Sequence, residues 1–262
     1  MRLQDKVIVI TGSTTGIGKA IAKRCVQEGS QVVIHGLETE WAEATVAELG
    51  KDRCISVLGD LAQPETIQTL VQSAVDHFGK LDGLVNNAAI VASGNLDSTD
   101  APFLRQLLEI NTVAPLLLIK QALPWLAQTQ GAVLNIGSVN AYCGEPDLLP
   151  YSISKGALMT MTRNLGDTLF RESRVRVNQI NPGWILTENE DRRKQEHGLQ
   201  PDWHTKLPST LAPSGTIIRP EAIAEAAIYW LSDAAGPISG QVVDLEQYPF
   251  IGRNPPKDGD TL

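Results

Sequence analysis

The stretch from Val7 to Gly18 constrains this chain more than any other. Val7-Ile-Val-Ile10 is a short run of β-branched, apolar residues and reads as a buried strand. It passes directly into Thr11-Gly12-Ser13-Thr14-Thr15-Gly16-Ile17-Gly18, and a helical pattern continues from Ile17 to about Glu28. Gly12 permits a tight turn. Gly16 and Gly18 let backbone approach a ligand and let the helix pack close to the sheet. The free N–H groups at such a helix start would bind a pyrophosphate. A glycine-rich turn can be merely structural, but the strand–loop–helix setting argues for a ligand site.

Further apolar runs at Gln31–Ile34, Ile55–Leu58, Leu84–Val85, Ala132–Ile136, Val175–Asn181 and Ser239–Leu245 read as strands. Helical patterns lie between them, notably Pro64–Phe78, Phe103 to about Gln128, and Pro220–Leu231. Alternation over 262 residues points to a single α/β unit. The formal net charge of -8 argues against a nucleic-acid or anionic-membrane role. No apolar run approaches the length of a membrane span, and the amino terminus enters a strand without a signal peptide. Cys25, Cys54 and Cys143 are scattered and odd in number, which suits reduced thiols and a cytoplasmic location. His35, His77, His197 and His204 show no metal-ligand spacing, so no metal is expected.

The chemistry concentrates at Tyr151-Ser-Ile-Ser-Lys155. Ala157, Leu158, Met161, Leu165 and Leu169 recur at helical spacing behind it, which puts Tyr151 and Lys155 one turn apart on one face. Alone, such a pair is a solvated surface pair. Held together, the ammonium would favour the phenolate and make a base usable near neutral pH. Ser138 follows the Ala132–Ile136 run, so its hydroxyl sits at a strand's carboxyl end, either as a turn residue or on the edge where ligands bind.

Thr11-Gly-x-x-x-Gly-x-Gly18, Asn86-Asn87-Ala88-Ala89, Asn111, Ser138, Tyr151-x-x-x-Lys155 and Asn181-Pro182-Gly183 stand in the order and spacing of the short-chain dehydrogenase/reductase family. The chain resembles that family from about Lys6 to Leu245. The resemblance implies a single-domain Rossmann fold over residues 1–262: a doubly wound parallel sheet of about seven strands with helices on both faces. It implies hydride transfer between a nicotinamide cofactor and a secondary alcohol or ketone. Ser138 and Tyr151 would hold the substrate oxygen, with Tyr151 as acid/base. Lys155 would lower the Tyr pKa and bind the nicotinamide ribose, and Asn111 would hold a proton-relaying water. Gly12, Thr14, Thr15, Gly16, Ile17 and Gly18 would take the pyrophosphate side of the cofactor. Gly36, Leu37, Asp60 and Leu61 would take the adenosine side, Asp60 being otherwise only a turn residue. Asn87, Ala88, Tyr151, Lys155, Pro182, Gly183, Ile185 and Thr187 would complete the cofactor site. Residues 188–219 would form a substrate lid, with Asn140 and Trp184 joining Ser138 and Tyr151 around the substrate; Tyr142, Cys143 and Trp203 are further pocket candidates. Relatives are usually homotetramers, so that is expected here.

Departures from the family pattern carry information. Gly36 and Leu37 replace both the acidic residue that marks NAD and the basic one that marks NADP. No Lys or Arg lies between Gly29 and Gly50, while Glu38 and Glu40 follow, so a 2′-phosphate would meet no cation. NAD is therefore expected. Ala89 stands for a glycine and requires a backbone without positive φ. Pro115 lacks an N–H, which would free the Asn111 carbonyl; the alternative is a kink without function. Glu246-Gln247 replaces a Gly pair, and the tail from Pro249 to Leu262 is expected to be mobile or to reach another subunit. The polar 188–219 stretch, with Asn140, Glu145 and His204, points to a sugar, polyol or sugar acid; Arg192 and Arg193 would pair with an anionic substrate group or form a solvated helix face. Two other readings stand beside the dehydrogenase: a non-catalytic NAD(P)-binding sensor or scaffold, and an epimerase or dehydratase, which length and glycine spacing disfavour.

Overall fold

Alternation within the strands decides the architecture. The computed structural model describes residues 1–142, 144–205 and 207–249. Cys143 and residues 250–262 of the tail lie outside the described residues. Strand β1 (Val7–Ile10) sends Val7 and Val9 to one side of the sheet and Ile8 and Ile10 to the other. The first side packs on helices α3 (Pro64–Phe78), α5 (Ala114–Thr129) and α6 (Leu149–Ser173), through Leu70, Leu118, Ala122 and Leu169. The second side packs on α1 (Gly16–Gln27) and α8 (Pro220–Leu231), through Ile21, Cys25, Ile223 and Ile228. A strand buried on both faces must be apolar throughout, which is why β1 reads as a continuous run.

The remaining strands are β2 (Gln31–Gly36), β3 (Cys54–Leu58), β4 (Gly83–Asn86), β5 (Ala132–Ile136), β6 (Arg176–Pro182) and β7 (Val242–Leu245). All pair in parallel, in the order β3-β2-β1-β4-β5-β6-β7. The seven-stranded doubly wound sheet is the expected one. The order reverses between β1 and β4, and a crevice opens there at the strands' carboxyl ends. Thr11, Gly36, Asn87, Ser138 and Gly183 all lie at that edge. Helix α2 (Thr39–Leu49) covers the β2–β3 side.

Two segments differ from the sequence expectation. The long apolar segment is α4 (Ala101–Leu108), then a π-helical turn (Glu109–Val113), then α5. The Ala114 N–H reaches back to the Glu109 carbonyl, one residue further than in an α-helix. Pro115 has no N–H to give to Ile110 in the π register or to Asn111 in the α register, so the widened turn and the proline act at one place. Together these residues run Ala101–Thr129 with a mean hydropathy of 1.2 in the most apolar part, the one helix among the described residues long and apolar enough to cross a membrane. This corrects the reading that no run approaches that length; Asn111, Thr112 and Lys120 interrupt it in sequence. Leu107, Ala114, Leu118, Ile119, Ala122 and Leu126 are nonetheless buried in the protein core. Residues after Thr187 form a further helix, α7 (Glu188–Glu196), where no apolar periodicity exists. Thr187 caps it by accepting from the Glu190 N–H, acidic residues fill its first turn, and Arg193 and Lys194 fill its last.

Candidate active site

A cleft of about 630 Å³ runs along the carboxyl edge of the sheet, from the glycine loop to α7. Gly12 (φ 59°) makes the first turn, and a Cβ there would lie 2.9 Å from the Ala88 Cα. The loop is tied to the β4 end: Asn87 Nδ2 donates to the Thr11 and Gly12 carbonyls at 2.9 Å, and the Asn87 and Ala88 N–H groups donate to Thr11 Oγ1 at 3.0 Å. Ala89 has no positive φ, as its identity requires. Gly16 (φ 55°) offers its N–H at the start of α1, and the Glu188 carboxylate accepts it at 3.1 Å. An anionic oxygen of the protein accepts at this helix start, which is the donor chemistry a pyrophosphate needs, so the residues fit a dinucleotide. Gly18 lies off the cleft lining; of its two expected roles the structure shows the packing one, since a Cβ there would strike the Gly12 carbonyl and Asn87.

At the other end, Gly36 leaves room for the Thr14 side chain, which a Cβ would approach to 2.6 Å. Leu37 is 64% exposed, and Glu38 and Trp41 line the cleft beside it. Asp60 and Leu61 line it from the β3–α3 loop; Asp60 Oδ1 also accepts from the Ala62 N–H at 2.9 Å, so the turn role is present too. Arg192, on α7, holds its guanidinium 5.8 Å from the Trp41 ring centre. It is a cation reaching this region from a distant segment, which the local sequence did not foreshadow.

Tyr151 and Lys155 are 8% and 2% exposed, which removes the surface-pair alternative. Lys155 Nζ donates to the Ile136 carbonyl at 2.8 Å and lies 5.7 Å from the Tyr151 ring centre. Burial draws the Lys155 pKa down to about 8. The Tyr151 phenol is pushed up to about 12 by burial, with hydrogen bonding to Ser138 and the Arg193 charge pulling down and Glu145 pushing up. Burial outweighs the hydrogen bond and the nearby charges that act on the phenol. Ser138 is fixed on both sides, its N–H donating to Asn181 Oδ1 at 3.2 Å and its Oγ accepting from the Asn140 N–H at 3.1 Å. Asn181 is held in turn by Gln179 and Asp244, at 2.7 and 3.0 Å, and Tyr142 donates its hydroxyl to Asp244 rather than to the cleft.

Asn111 is 1% exposed and lies behind the cleft. Its side chain bonds the Ile90 N–H and carbonyl at 2.8 and 3.0 Å and Ser154 Oγ at 2.9 Å. All its amide groups therefore hold loop and helix together, so a relay would pass through its backbone carbonyl.

Pro182, Gly183, Ile185 and Thr187 line the cleft after β6. Glu246 accepts the Trp184 N–H at 2.9 Å, which gives the residue replacing the family glycine a structural task. On the substrate side Asn140, Trp184, Glu190 and Arg193 converge with Ser138 and Tyr151. Arg193 donates to Glu190 Oε2 at 3.0 and 2.7 Å, and Trp184 Nε1 donates to Glu190 Oε1 at 2.8 Å. Trp184 and Trp203 pack with ring centres 5.4 Å apart. Glu190 and Glu188 were legible only as members of a charged stretch; nothing in their spacing marked which would face the cleft. Among the described residues, no three His, Cys, Asp or Glu side chains gather as a metal site requires.

Comparison with known proteins agrees with this arrangement. A family model described as enoyl-(acyl carrier protein) reductase matches residues 12–246. L-fucose dehydrogenase of Mus musculus is 36% identical over 248 residues, covering 89% of this chain and 84% of the relative. The 2-(S)-hydroxypropyl-CoM dehydrogenase 3 of Xanthobacter autotrophicus is 32% identical over 242 residues, covering 91% and 94%. An uncharacterized oxidoreductase of Thermotoga maritima is 32% identical over 250 residues, covering 94% and 98%. On this likeness over nearly its whole length, together with a parallel sheet whose switch point opens onto the glycine loop and the Tyr–Lys helix, the chain belongs to the short-chain dehydrogenase/reductase family and is a nicotinamide-dependent oxidoreductase.

Proposed function

We propose that this protein is an NAD-dependent dehydrogenase of a neutral, multiply hydroxylated substrate, a sugar or polyol. The carrying observation is the set of hydrogen-bonding groups around the reacting end of the cleft: Ser138 and Tyr151 beside Asn140, the Glu190–Arg193 pair and the Trp184 ring. Paired carboxylate and guanidinium groups suit hydroxyls, while an indole face suits the apolar face of a sugar ring. A sugar acid is less well served, because Glu190 already neutralises Arg193. The likeness to L-fucose dehydrogenase supports the same class.

In oxidation, Ser138 donates to the substrate oxygen and orients its carbon. Tyr151 takes the hydroxyl proton, and Lys155 stabilises the phenolate that makes this possible. The nicotinamide, when bound, supplies the hydride acceptor. Lys155 then passes the proton toward solvent through a water that the Asn111 carbonyl would hold, with Pro115 as the local cause of that carbonyl's freedom. NAD is favoured because Gly36 and Leu37 give a 2′-phosphate no cation on β2, and Glu38 would repel it. The Arg192 guanidinium near Trp41 is the one feature on the other side, and a cofactor comparison weighs it directly. We further place the protein in the cytoplasm as a homotetramer; exposed Leu116 on α5 and Ile153 on α6 support pairing through the long helices.

The test is NAD(P)H absorbance on the purified protein with a panel of neutral sugars, polyols, sugar acids and simple alcohols, NAD and NADP in parallel. Turnover of a neutral sugar or polyol with NAD is expected. Turnover confined to sugar acids or to simple alcohols overturns the substrate class, and preference for NADP overturns the cofactor assignment.

A further inference from the structure

His35 alone among the four histidines is buried, at 4% exposed, and it lies next to the end of β2 in the wall of the cleft. Its backbone is joined to the glycine loop in both directions. The Ser13 N–H donates to the His35 carbonyl at 2.8 Å, and the His35 N–H donates to Ser13 Oγ at 3.0 Å. The ring extends this connection. Gly12 donates its N–H to Nδ1 at 3.2 Å, and Nε2 lies 2.9 Å from the Gly59 carbonyl.

Those two partners determine the state of the imidazole. A backbone N–H only donates, so Nδ1 must be the bare acceptor; a carbonyl only accepts, so Nε2 must carry the proton. The neutral Nε2–H tautomer satisfies both, whereas an imidazolium would set one N–H against another at Gly12. Burial lowers the ring's pKa and favours the neutral form, against the opposite pull of the Gly59 carbonyl and the Asp60 charge. Gly12 and Ser13 from the glycine loop, and Val57 beside it on β3, bring no charge to it.

We propose that His35 is a positioning residue for the dinucleotide, spanning from the Gly12 turn on the pyrophosphate side to the Gly59–Asp60 loop on the adenosine side and setting their separation. Both anchor points are glycines at positive φ, 59° and 155°; Asn87 holds the first loop from the β4 side, and the His35 ring joins it to the second. Strands β1 and β4 stand between β2 and the β5 edge that carries Ser138, so the ring acts on cofactor binding and leaves the chemical step alone. This rests on the dinucleotide reading of the cleft.

The experiment is calorimetric binding of NAD to wild type and three variants, with kcat and substrate KM measured at saturating cofactor. His35→Asn retains an acceptor near the Nδ1 position, His35→Gln retains a donor near the Nε2 position, and His35→Leu retains neither. Without the ring the two loops hold the binding-competent separation for only a fraction of the time, so NAD binding is ~10- to 30-fold weaker in His35→Leu and ~3- to 6-fold weaker in each of the other two, with kcat and substrate KM at saturating cofactor unchanged. His35→Leu binding within about twofold of wild type overturns the proposal, as does an equal loss in all three, which would mean packing alone matters. Failure of the wild type to bind any nicotinamide dinucleotide overturns the reading of the cleft itself. Should His35→Leu not fold, nitrogen-15 spectra of histidine-labelled wild type decide the matter: one imidazole in the neutral Nε2–H tautomer, not titrating between about pH 6 and 8, is required, and an Nδ1–H or charged ring overturns it.

Discussion

The Glu188 carboxylate accepts the Gly16 N–H at 3.1 Å, so the helix terminus that would face a dinucleotide's pyrophosphate is engaged by an anion of the protein itself. Cofactor entry must displace that carboxylate and then keep it near two phosphates. Glu188→Gln therefore tightens NAD binding, by ~2- to 5-fold, the range of an exposed charge near a helix terminus. Thr187 still caps α7 in the variant, so the helix is retained. Calorimetry reads this directly, and unchanged or weaker binding would show that the contact does not compete.

Tyr151→Phe removes the one group positioned to exchange a proton with the substrate oxygen. Turnover falls by ~10²- to 10⁴-fold while NAD affinity stays within a few-fold, because Phe fills the same buried space. A variant that keeps most of its rate would mean that another group serves as the base.

Lys155 makes stability depend on pH in a defined window. Its pKa is about 8 in the fold, against an ordinary value near 10.4, so between those values the unfolded chain holds a proton that the native protein has released. Stability conferred at this site accordingly rises with pH from about 8 to about 10, by at most ~1.4 kcal/mol per pH unit, and is flat below about 7. Urea unfolding of cofactor-free wild type and Lys155→Met would show the difference between them shifting toward wild type across that window. A constant difference refutes the lowered pKa.

Glu28 works in the opposite direction at acid pH. The Arg2 N–H and guanidinium, with Arg24 nearby, hold its pKa at about 2, below the usual carboxylate range. Its contribution is therefore present above about pH 4.3 and is lost as pH falls toward 2. Glu28→Gln lowers Tm by ~2–4 °C at neutral pH, and the gap to wild type closes on acidification. A gap that persists at pH 2 assigns the effect to packing between α1 and α8.

On the proposed cofactor placement a basic side chain at Leu37 would meet a 2′-phosphate, and 64% of Leu37 is exposed, so a longer residue fits without repacking. Leu37→Arg raises kcat/KM with NADP by ~10-fold or more relative to NAD. No change in the ratio would place the 2′ position elsewhere in the cleft.

The strands and the Tyr–Lys helix were legible because each is written in local pattern: β-branched runs bounded by glycine, and residues one turn apart on one helix; the doubly wound parallel arrangement followed from the family resemblance. Gly12, Gly16, Ser138, Tyr151 and Lys155 could be placed at the cleft for the same reason, since each follows directly from the strand or helix that carries it. The π-helical turn at Asn111 was half legible, through Pro115; the widened register depends on how α4 and α5 settle on the core. Three features were decided only in the folded molecule. The Tyr151 phenol rises to about 12 because burial removes its solvent, a quantity no spacing encodes. His35 and Gly36 take their roles from the glycine loop packed against them, His35 by accepting from Gly12 and Gly36 by yielding space to Thr14. Glu188 reaches Gly16 across 172 residues of chain, and Arg192 reaches Trp41 from the same helix. Sequence alone determined the strands, most of the helices and the chemistry each brings to the sheet edge, because those depend on neighbours along the chain. Tertiary structure decided which charges face which groups, and how strongly, because electrostatics and desolvation depend on distances between segments that the chain order does not set.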